Sequence, residues 1–172
     1  MNTFTRLATP TPVGELLLTA SDTALTGVYF PTSRRGPPPT HRADWIEDTG
    51  QGPASDVLAR AKQQLTEYFD GRRTTFDLPL EALGSPFEHR VWNALRTIPY
   101  GATTSYGELA RRLGDVNATR AVGAANGKNP IPIIVPCHRV VGANGDLTGF
   151  GGGLERKRWL LEHEGVLMKF GA

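Results

Sequence analysis

The chain has 172 residues, of which 39% are hydrophobic and 21% charged, so it can bury a core and has the composition of a globular protein. Its first residues lack the basic start and apolar core of a signal peptide, and no segment approaches the roughly 20 apolar residues of a membrane helix. One cysteine excludes an intramolecular disulfide and, with four scattered histidines, a cysteine-rich zinc site. We therefore expect a cytoplasmic protein with no membrane contact, no metal and no cofactor.

Positive charge is concentrated in the second half of the chain. Residues 1–83 carry 8 Lys/Arg against 10 Asp/Glu, whereas residues 84–172 carry 11 against 7. Such clustering favours a polyanionic partner such as nucleic acid, although an ordinary solvated surface can have the same composition.

The first half begins with a predicted β-hairpin. Residues 13–20 and 24–30 have strand composition and flank a short Ser-Asp-Thr turn. Residues 31–53 contain three consecutive prolines and several glycines, which predicts a long irregular connection packed down by Trp45 and Ile46.

A helix is predicted over residues 55–69, ended by Gly71. Its apolar residues share one helical face: Val57, Leu58, Ala61, Leu65, Tyr68 and Phe69. Residues 74–80 have the composition of a further strand. We expect an α/β N-terminal domain over residues 1–80, made of a small antiparallel sheet and a helix, with no catalytic pattern of its own.

Two capping patterns open helices in the second half. Ser85-Pro86-Phe87-Glu88 is a capping box with proline at the first helical position, and it predicts a helix over residues 86–97. Ser105-Tyr106-Gly107-Glu108 repeats the pattern before a short helix ended by Gly114, and a third helix is predicted over residues 117–127. The last two helices have the dimensions of a helix-turn-helix, although two packed helices of any α-rich domain would look the same.

The third helix presents a smooth surface. Alanine and glycine dominate it, and Arg120 is the one long side chain that protrudes. Such a helix can read little base sequence, but it permits close backbone approach to another helix or to a narrow groove. A lone arginine on it can occupy the space left by a displaced base.

The single cysteine ends a proline-rich apolar run, PIPIIVPCHRVV, and a histidine follows it directly. Most solitary cysteines are buried and inert. Here His138 can shift the proton balance of Cys137 towards thiolate, and three nearby prolines stiffen the approach, as a nucleophile with fixed geometry requires. Adjacent side chains of an extended chain point opposite ways, so we expect a water relay between thiol and imidazole.

Residues 129–140 closely resemble the active-site signature of the O6-alkylguanine-DNA alkyltransferases, which repair DNA by direct reversal. Further family landmarks follow in family order at residues 98–101, 105–110, 120–123, 152–154 and 163–165. The first half resembles the family's N-terminal domain in length and strand-helix order. The resemblance implies a ribonuclease H-like N-terminal domain and a mainly α C-terminal domain over residues 84–172, with a winged or helix-turn-helix DNA-binding motif.

The resemblance also implies roles in the transfer of an alkyl group from guanine O6. Cys137 would accept the alkyl group, and His138 would act as a base through water. Glu164 would orient the imidazole, and Asn129 would brace the active-site turn. Tyr106 would assist departure of the guanine by supplying a proton or a hydrogen bond.

The base pocket implied by the resemblance is lined by Tyr106, Val140, Phe150 and Gly151. One departure from the family pattern lies here. Residues 148–153 are glycine-rich where many members carry a hydroxyl residue on the lid over the base. The stiffness of the lid and the range of alkyl groups accepted are therefore open.

The implied partner is double-stranded DNA that contains O6-alkylguanine, bound through the minor groove with the damaged nucleotide rotated out. Arg120 would fill the gap, and its neighbours Thr119, Ala121 and Gly123 would face the DNA. We expect a monomer, associated with the nucleoid if the source is bacterial, and cooperative binding is left open.

Two other classes of protein compete with this hypothesis. A cysteine hydrolase would turn over through an acyl thioester, whereas a helix-turn-helix damage sensor would tolerate loss of the thiol. Retention of Cys137 within the signature argues against the family's non-catalytic relatives. The repair hypothesis is therefore preferred.

Overall fold

The structure is a computed structural model that describes residues 2–9, 11–31, 45–150 and 152–166. The chain divides into two compact units, Met1–Leu83 and Gly84–Ala172. In these described ranges, no helix is long and apolar enough to cross a membrane.

The first unit is built on a four-stranded sheet. Its strands are β1 (Thr3–Leu7), β2 (Leu16–Ala20), β3 (Leu25–Tyr29) and β4 (Ile46–Glu47), arranged in the order β3-β2-β1-β4. The predicted hairpin is present as the antiparallel pair β2 and β3. β1 extends this antiparallel pairing, and β4 adds a short parallel pair with β1, so the small sheet is mixed.

One long helix, α1 (Pro53–Phe69), packs on this sheet. It begins two residues before the predicted start, with Gly52 at φ 100° as its N-cap. The predicted apolar face is the buried one, and Leu58, Ala61, Leu65 and Tyr68 are fully covered. Most of the predicted connection, residues 32–44, lies outside the described residues. Trp45 packs its ring near Phe4 and Tyr29 as expected, whereas the packing predicted for Ile46 is wrong, because this residue lies in the edge strand β4 and is 50% exposed.

The strand predicted over residues 74–80 is wrong except for a single bridge between Leu80 and Leu25. The side chain of Gln64 explains why. Its amide accepts from the backbone N–H of Asp77 at 2.9 Å and donates to the Asp77 carbonyl at 2.9 Å. These backbone groups are bound by a helix side chain, so they have no need of a neighbouring strand.

The second unit is mainly helical, with α2 (Pro86–Leu95), α3 (Tyr106–Arg112), α4 (Thr119–Gly127) and α5 (Leu154–His163). Two short strands, β5 (Thr104–Ser105) and β6 (Val140–Val141), pair in parallel. The capping box predicted for α2 is confirmed, although α2 ends two residues early. A 3-10 turn at Val116–Ala118 joins α3 to α4 and completes a helix-turn-helix.

A buried tryptophan fixes the position of α4, the second helix of this motif. Trp92 of α2 is 4% exposed, and its indole Nε1 donates to the carbonyl of Ala125 on α4 at 2.9 Å. Val122 and Ala125 bury the inner face of α4, while Arg120 and Ala121 remain exposed. The small-residue face of α4 is thus held in a defined orientation towards solvent.

Candidate active site

Cys137 lies in a single 3-10 turn, Cys137–Arg139, that leads directly into β6. Its residue surface is 5% exposed, and His138 beside it is 0% exposed. The pairing of β6 with β5, which in turn leads into α3, brings the cysteine segment next to the start of the helix-turn-helix.

Asn129 holds the turn that precedes the cysteine. Its side-chain Nδ2 donates to the carbonyl of Val135 at 2.8 Å, and its Oδ1 accepts from the backbone N–H of Ile131 at 3.0 Å. Between these contacts Ile133 has φ 74°, a conformation that β-branched residues rarely adopt. The double contact of Asn129 closes the turn around this unfavourable residue.

His138 and Glu164 form a fully buried pair. His138 Nε2 lies 2.8 Å from Glu164 Oε2, and both side chains are 0% exposed. An ionised carboxylate can only accept, so Nε2 carries the hydrogen and donates it. In a neutral ring Nδ1 is then the basic nitrogen, and it has no hydrogen-bond partner among the described residues.

Arg139 holds the same carboxylate from its other side. Its Nε and Nη2 donate to the two oxygens of Glu164 at 2.8 and 3.0 Å, and its Nη1 donates to the Ile98 carbonyl at 2.7 Å. Burial alone would raise the pKa of Glu164, but the hydrogen bonds and charges of His138 and Arg139 outweigh it and lower the pKa to about 2. Glu164 is therefore ionised at neutral pH.

The resting protonation states follow from burial. Burial raises the pKa of the Cys137 thiol, an effect that a hydrogen bond with Asn129 and the charge of Lys157 offset only in part. Burial also lowers the pKa of His138, against the influence of Glu164. At neutral pH the site therefore holds a thiol and a neutral imidazole, the pair that a general-base step requires.

Tyr106, the first residue of α3, places its hydroxyl at the edge of this site. The hydroxyl donates to the carbonyl of Thr148 at 3.1 Å and lies 3.4 Å from the carbonyl of Gly149. Burial raises the pKa of Tyr106, so the hydroxyl keeps its proton at neutral pH and can act as a donor.

The remaining predicted residues divide between pocket and surface. Val140 and Phe150 are buried, at 0% and 4% exposure, whereas Gly151 lies outside the described residues. On α4, Arg120 and Ala121 are exposed, and the half-buried Thr119 donates its hydroxyl to the Val116 carbonyl at 3.3 Å. A Cβ on Gly123 would lie 3.8 Å from the Tyr106 ring, so the backbone of this glycine is close to the face of helix α4 that the tyrosine ring covers.

Comparison with known proteins identifies the family to which both units belong. Residues 6–82 match the family model of the 6-O-methylguanine DNA methyltransferase ribonuclease-like domain, and residues 86–166 match the model of its DNA binding domain. A methylated-DNA–protein-cysteine methyltransferase of Mycobacterium tuberculosis is 50% identical over 153 residues, which cover 89% of this chain and 87% of the relative. The chain belongs to the 6-O-methylguanine DNA methyltransferase family.

Other members of this methyltransferase family match over nearly the whole chain. The constitutive methylated-DNA–protein-cysteine methyltransferase of Bacillus subtilis is 42% identical over 175 residues, which cover 98% of this chain and 99% of the relative. A crystal structure of M. tuberculosis OGT in complex with DNA superposes with a TM-score of 0.82 at 46% identity, covering 94% of this chain and 92% of that one. These matches confirm the expected ribonuclease-like and helical DNA-binding architecture.

Two buried charged residues of this methyltransferase site, Arg139 and Lys157, are not predicted from the sequence. Lysine and arginine are almost never fully buried unless they are paired, so composition gave no reason to place them inside. Helical spacing offered a signal for Lys157. It precedes Leu160, Leu161 and Glu164 by three, four and seven residues, which puts all four on one face. All four are buried in the structure.

Proposed function

We propose that this protein repairs DNA by transferring an alkyl group, typically methyl, from the O6 atom of guanine to Cys137, as a methylated-DNA–protein-cysteine methyltransferase. The observation that carries the proposal is the arrangement of its one cysteine. Cys137 is buried beside a neutral His138 whose proton-accepting nitrogen is set by an ionised Glu164. Membership of the methyltransferase family supports the same chemistry.

In the proposed mechanism, the Cys137 sulfur attacks the alkyl carbon as the bond from that carbon to guanine O6 breaks. The thiol proton passes through water to Nδ1 of His138, and Glu164 stabilises the resulting imidazolium. The guanine departs with both bonding electrons and takes up one proton, and the Tyr106 hydroxyl assists by donating towards it. Asn129 keeps the Cys137 turn in place throughout.

The second unit, residues 84–172, would supply both the DNA contact and the alkyl acceptor. The exposed Ala121 of α4, with the half-buried Thr119 and Gly123 at the side of the helix, suits close approach to the minor groove, and the exposed Arg120 suits the space left by the extruded nucleotide. This contact reads backbone and shape rather than base sequence. We propose that the protein acts on DNA as a monomer in the cytoplasm.

A titration tests the proposed function. The thioether formed on Cys137 has no carbonyl for water to attack, and no second cysteine is present to resolve it. Repaired DNA should therefore stop at one equivalent of active protein, however long the reaction runs, when increasing amounts of O6-methylguanine duplex are added. Continued formation of product at substoichiometric protein would favour a cysteine hydrolase, and no product at all would favour a damage sensor.

The Arg120→Ala variant separates base extrusion from chemistry. Without the side chain that occupies the vacated space, we expect repair of O6-methylguanine within a duplex to slow by about tenfold to a hundredfold, because unstacking a base costs a few kcal/mol. Reaction with free O6-benzylguanine, which needs no extrusion, should change by less than about twofold. Both rates are measured under single-turnover conditions, and Arg96→Ala, an exposed arginine after α2, is the control. Equal losses on the two substrates would assign Arg120 to the chemistry.

A further inference from the structure

Lys157 is the fourth residue of α5, and its surface is 0% exposed. A buried ammonium is costly unless hydrogen bonds replace its water. Here Nζ donates to the carbonyl of Val140 at 2.6 Å and to the carbonyl of Thr148 at 2.7 Å. Two backbone acceptors are thus drawn together by one side chain that the proposed mechanism does not use.

The two acceptors belong to different parts of the site. Val140 is the first residue of β6 and follows the cysteine turn, whereas Thr148 belongs to the lid segment, defined here as residues 147–150. The Thr148 carbonyl also accepts from the Tyr106 hydroxyl, and Nζ lies 5.8 Å from the centre of the Tyr106 ring. One carbonyl therefore joins the lysine, the lid segment and the tyrosine.

The lid segment is short and irregular. It contains no helix or strand, Thr148 and Gly149 are exposed, and Gly149 has φ 45°, a conformation accessible to glycine at little cost. Phe150 at its end is nevertheless 4% exposed. Hydrogen bonds from a charged donor are the stronger kind, so the bond from Lys157 can hold this exposed backbone in one position.

We propose that Lys157 is a positioning residue whose buried ammonium fastens the lid segment to β6 and thereby fixes the Tyr106 hydroxyl for the incoming guanine. The attachment is a property of the free protein, whereas its effect on alkyl transfer rests on the proposed function. Electrostatics supports the assignment. Burial lowers the pKa of Lys157 to about 8, so the amine remains largely charged at neutral pH, and its charge favours the Cys137 thiolate.

Limited proteolysis tests the attachment without DNA. Lys157→Met keeps the length of the side chain but removes the donor, so the lid segment should open more often. We expect chymotrypsin to cleave after Phe150 about tenfold faster or more than in the unmodified protein. Cleavage after Phe69 in the first unit reports global unfolding and should not change. Lys62→Met makes the same chemical change at a half-buried lysine of α1 and should leave both sites unchanged.

Alkyl transfer tests the consequence for positioning. Lys157→Met should slow transfer from an O6-methylguanine duplex by about tenfold to a hundredfold, because a displaced donor no longer meets the leaving group. Affinity for undamaged duplex should stay within about twofold. In Lys157→Ala, added propylammonium replaces the missing end of the lysine side chain and should restore both slow cleavage after Phe150 and fast alkyl transfer. If Lys157 only supported the fold, the added amine would restore neither.

The outcomes distinguish the two proposals. If the unmodified protein transfers no alkyl group but Lys157→Met still speeds cleavage after Phe150, the attachment stands and the proposed function fails. Unchanged cleavage in Lys157→Met would overturn the attachment. Should Lys157→Met not fold, Lys157→Gln takes its place, because it retains an uncharged donor and is expected to show an intermediate rate of cleavage after Phe150. If Lys157→Gln is cleaved at the wild-type rate, and propylammonium does not rescue Lys157→Ala, the proposed attachment is also overturned.

Discussion

Replacement of Cys137 by serine is expected to reduce alkyl transfer by more than about a thousandfold. A hydroxyl is a far weaker acid than a thiol, and the burial that raises the pKa of Cys137 would penalise an alkoxide even more. The comparison uses a duplex with a single O6-methylguanine, followed by mass spectrometry of the intact protein. One added methyl group is expected on the unmodified protein and none on Cys137→Ser.

The serine variant also provides its own control. Serine is nearly isosteric with cysteine, so binding to undamaged duplex and the thermal midpoint should change little. Peptide mapping of the unmodified protein should place the methyl group on Cys137 and nowhere else. Methylation that persists in Cys137→Ser, or that maps to another residue, would assign the reaction to a different nucleophile.

Glu164→Gln is expected to impair both stability and alkyl transfer. The amide cannot neutralise the buried Arg139, which leaves an uncompensated charge in the site, so the free energy of unfolding should fall by about 3–5 kcal/mol. The amide also no longer dictates which nitrogen of His138 carries the hydrogen, and transfer should slow by about a hundredfold or more. Denaturant unfolding at pH 7 and single-turnover kinetics measure the two effects.

The pH dependence of stability gives a second measurement of the contribution of the Glu164 carboxylate. The pKa of Glu164 is lowered from 4.5 to about 2 in the folded protein, so its stabilising effect is complete above about pH 4.5 and is lost as the pH falls towards 2. The stability gap between the unmodified protein and Glu164→Gln should therefore narrow across that range. Glu162→Gln, in an exposed pair with Arg158, is the matched control and should have little effect. A gap that stays constant down to pH 2 would contradict the low pKa.

Much of the fold could be predicted because its signals are local. The α2 capping box joins residues three apart, and the α1 apolar face repeats at helical spacing, so both are visible in the sequence. Sequence patterns did not predict the backbone pairings between residues that are far apart in the chain. β1 and the two-residue β4 pair in parallel across about 40 residues, and the side chain of Gln64 takes the backbone of Asp77 that a strand would have used.

The candidate active site shows the same contrast between local contacts and contacts that span many residues. The two hydrogen bonds of the Asn129 side chain reach backbone groups within six residues of it in the chain. The pairing of His138 with Glu164 spans 26 residues, and only the family resemblance placed them together. Arg139 and Lys157 escaped prediction because their charges are satisfied by a carboxylate and by backbone carbonyls that only the folded chain brings near.

The burial of Cys137 also has a consequence for oxidative chemistry. Peroxides and related oxidants attack the thiolate, and oxidation beyond the sulfenic acid is irreversible for most cysteines. Cys137 is 5% exposed and its pKa is raised, so the resting protein offers oxidants neither an open path nor an anionic sulfur. Because the chain has one cysteine and no second thiol to reverse its oxidation, we expect this burial to help preserve the alkyl acceptor in the free protein.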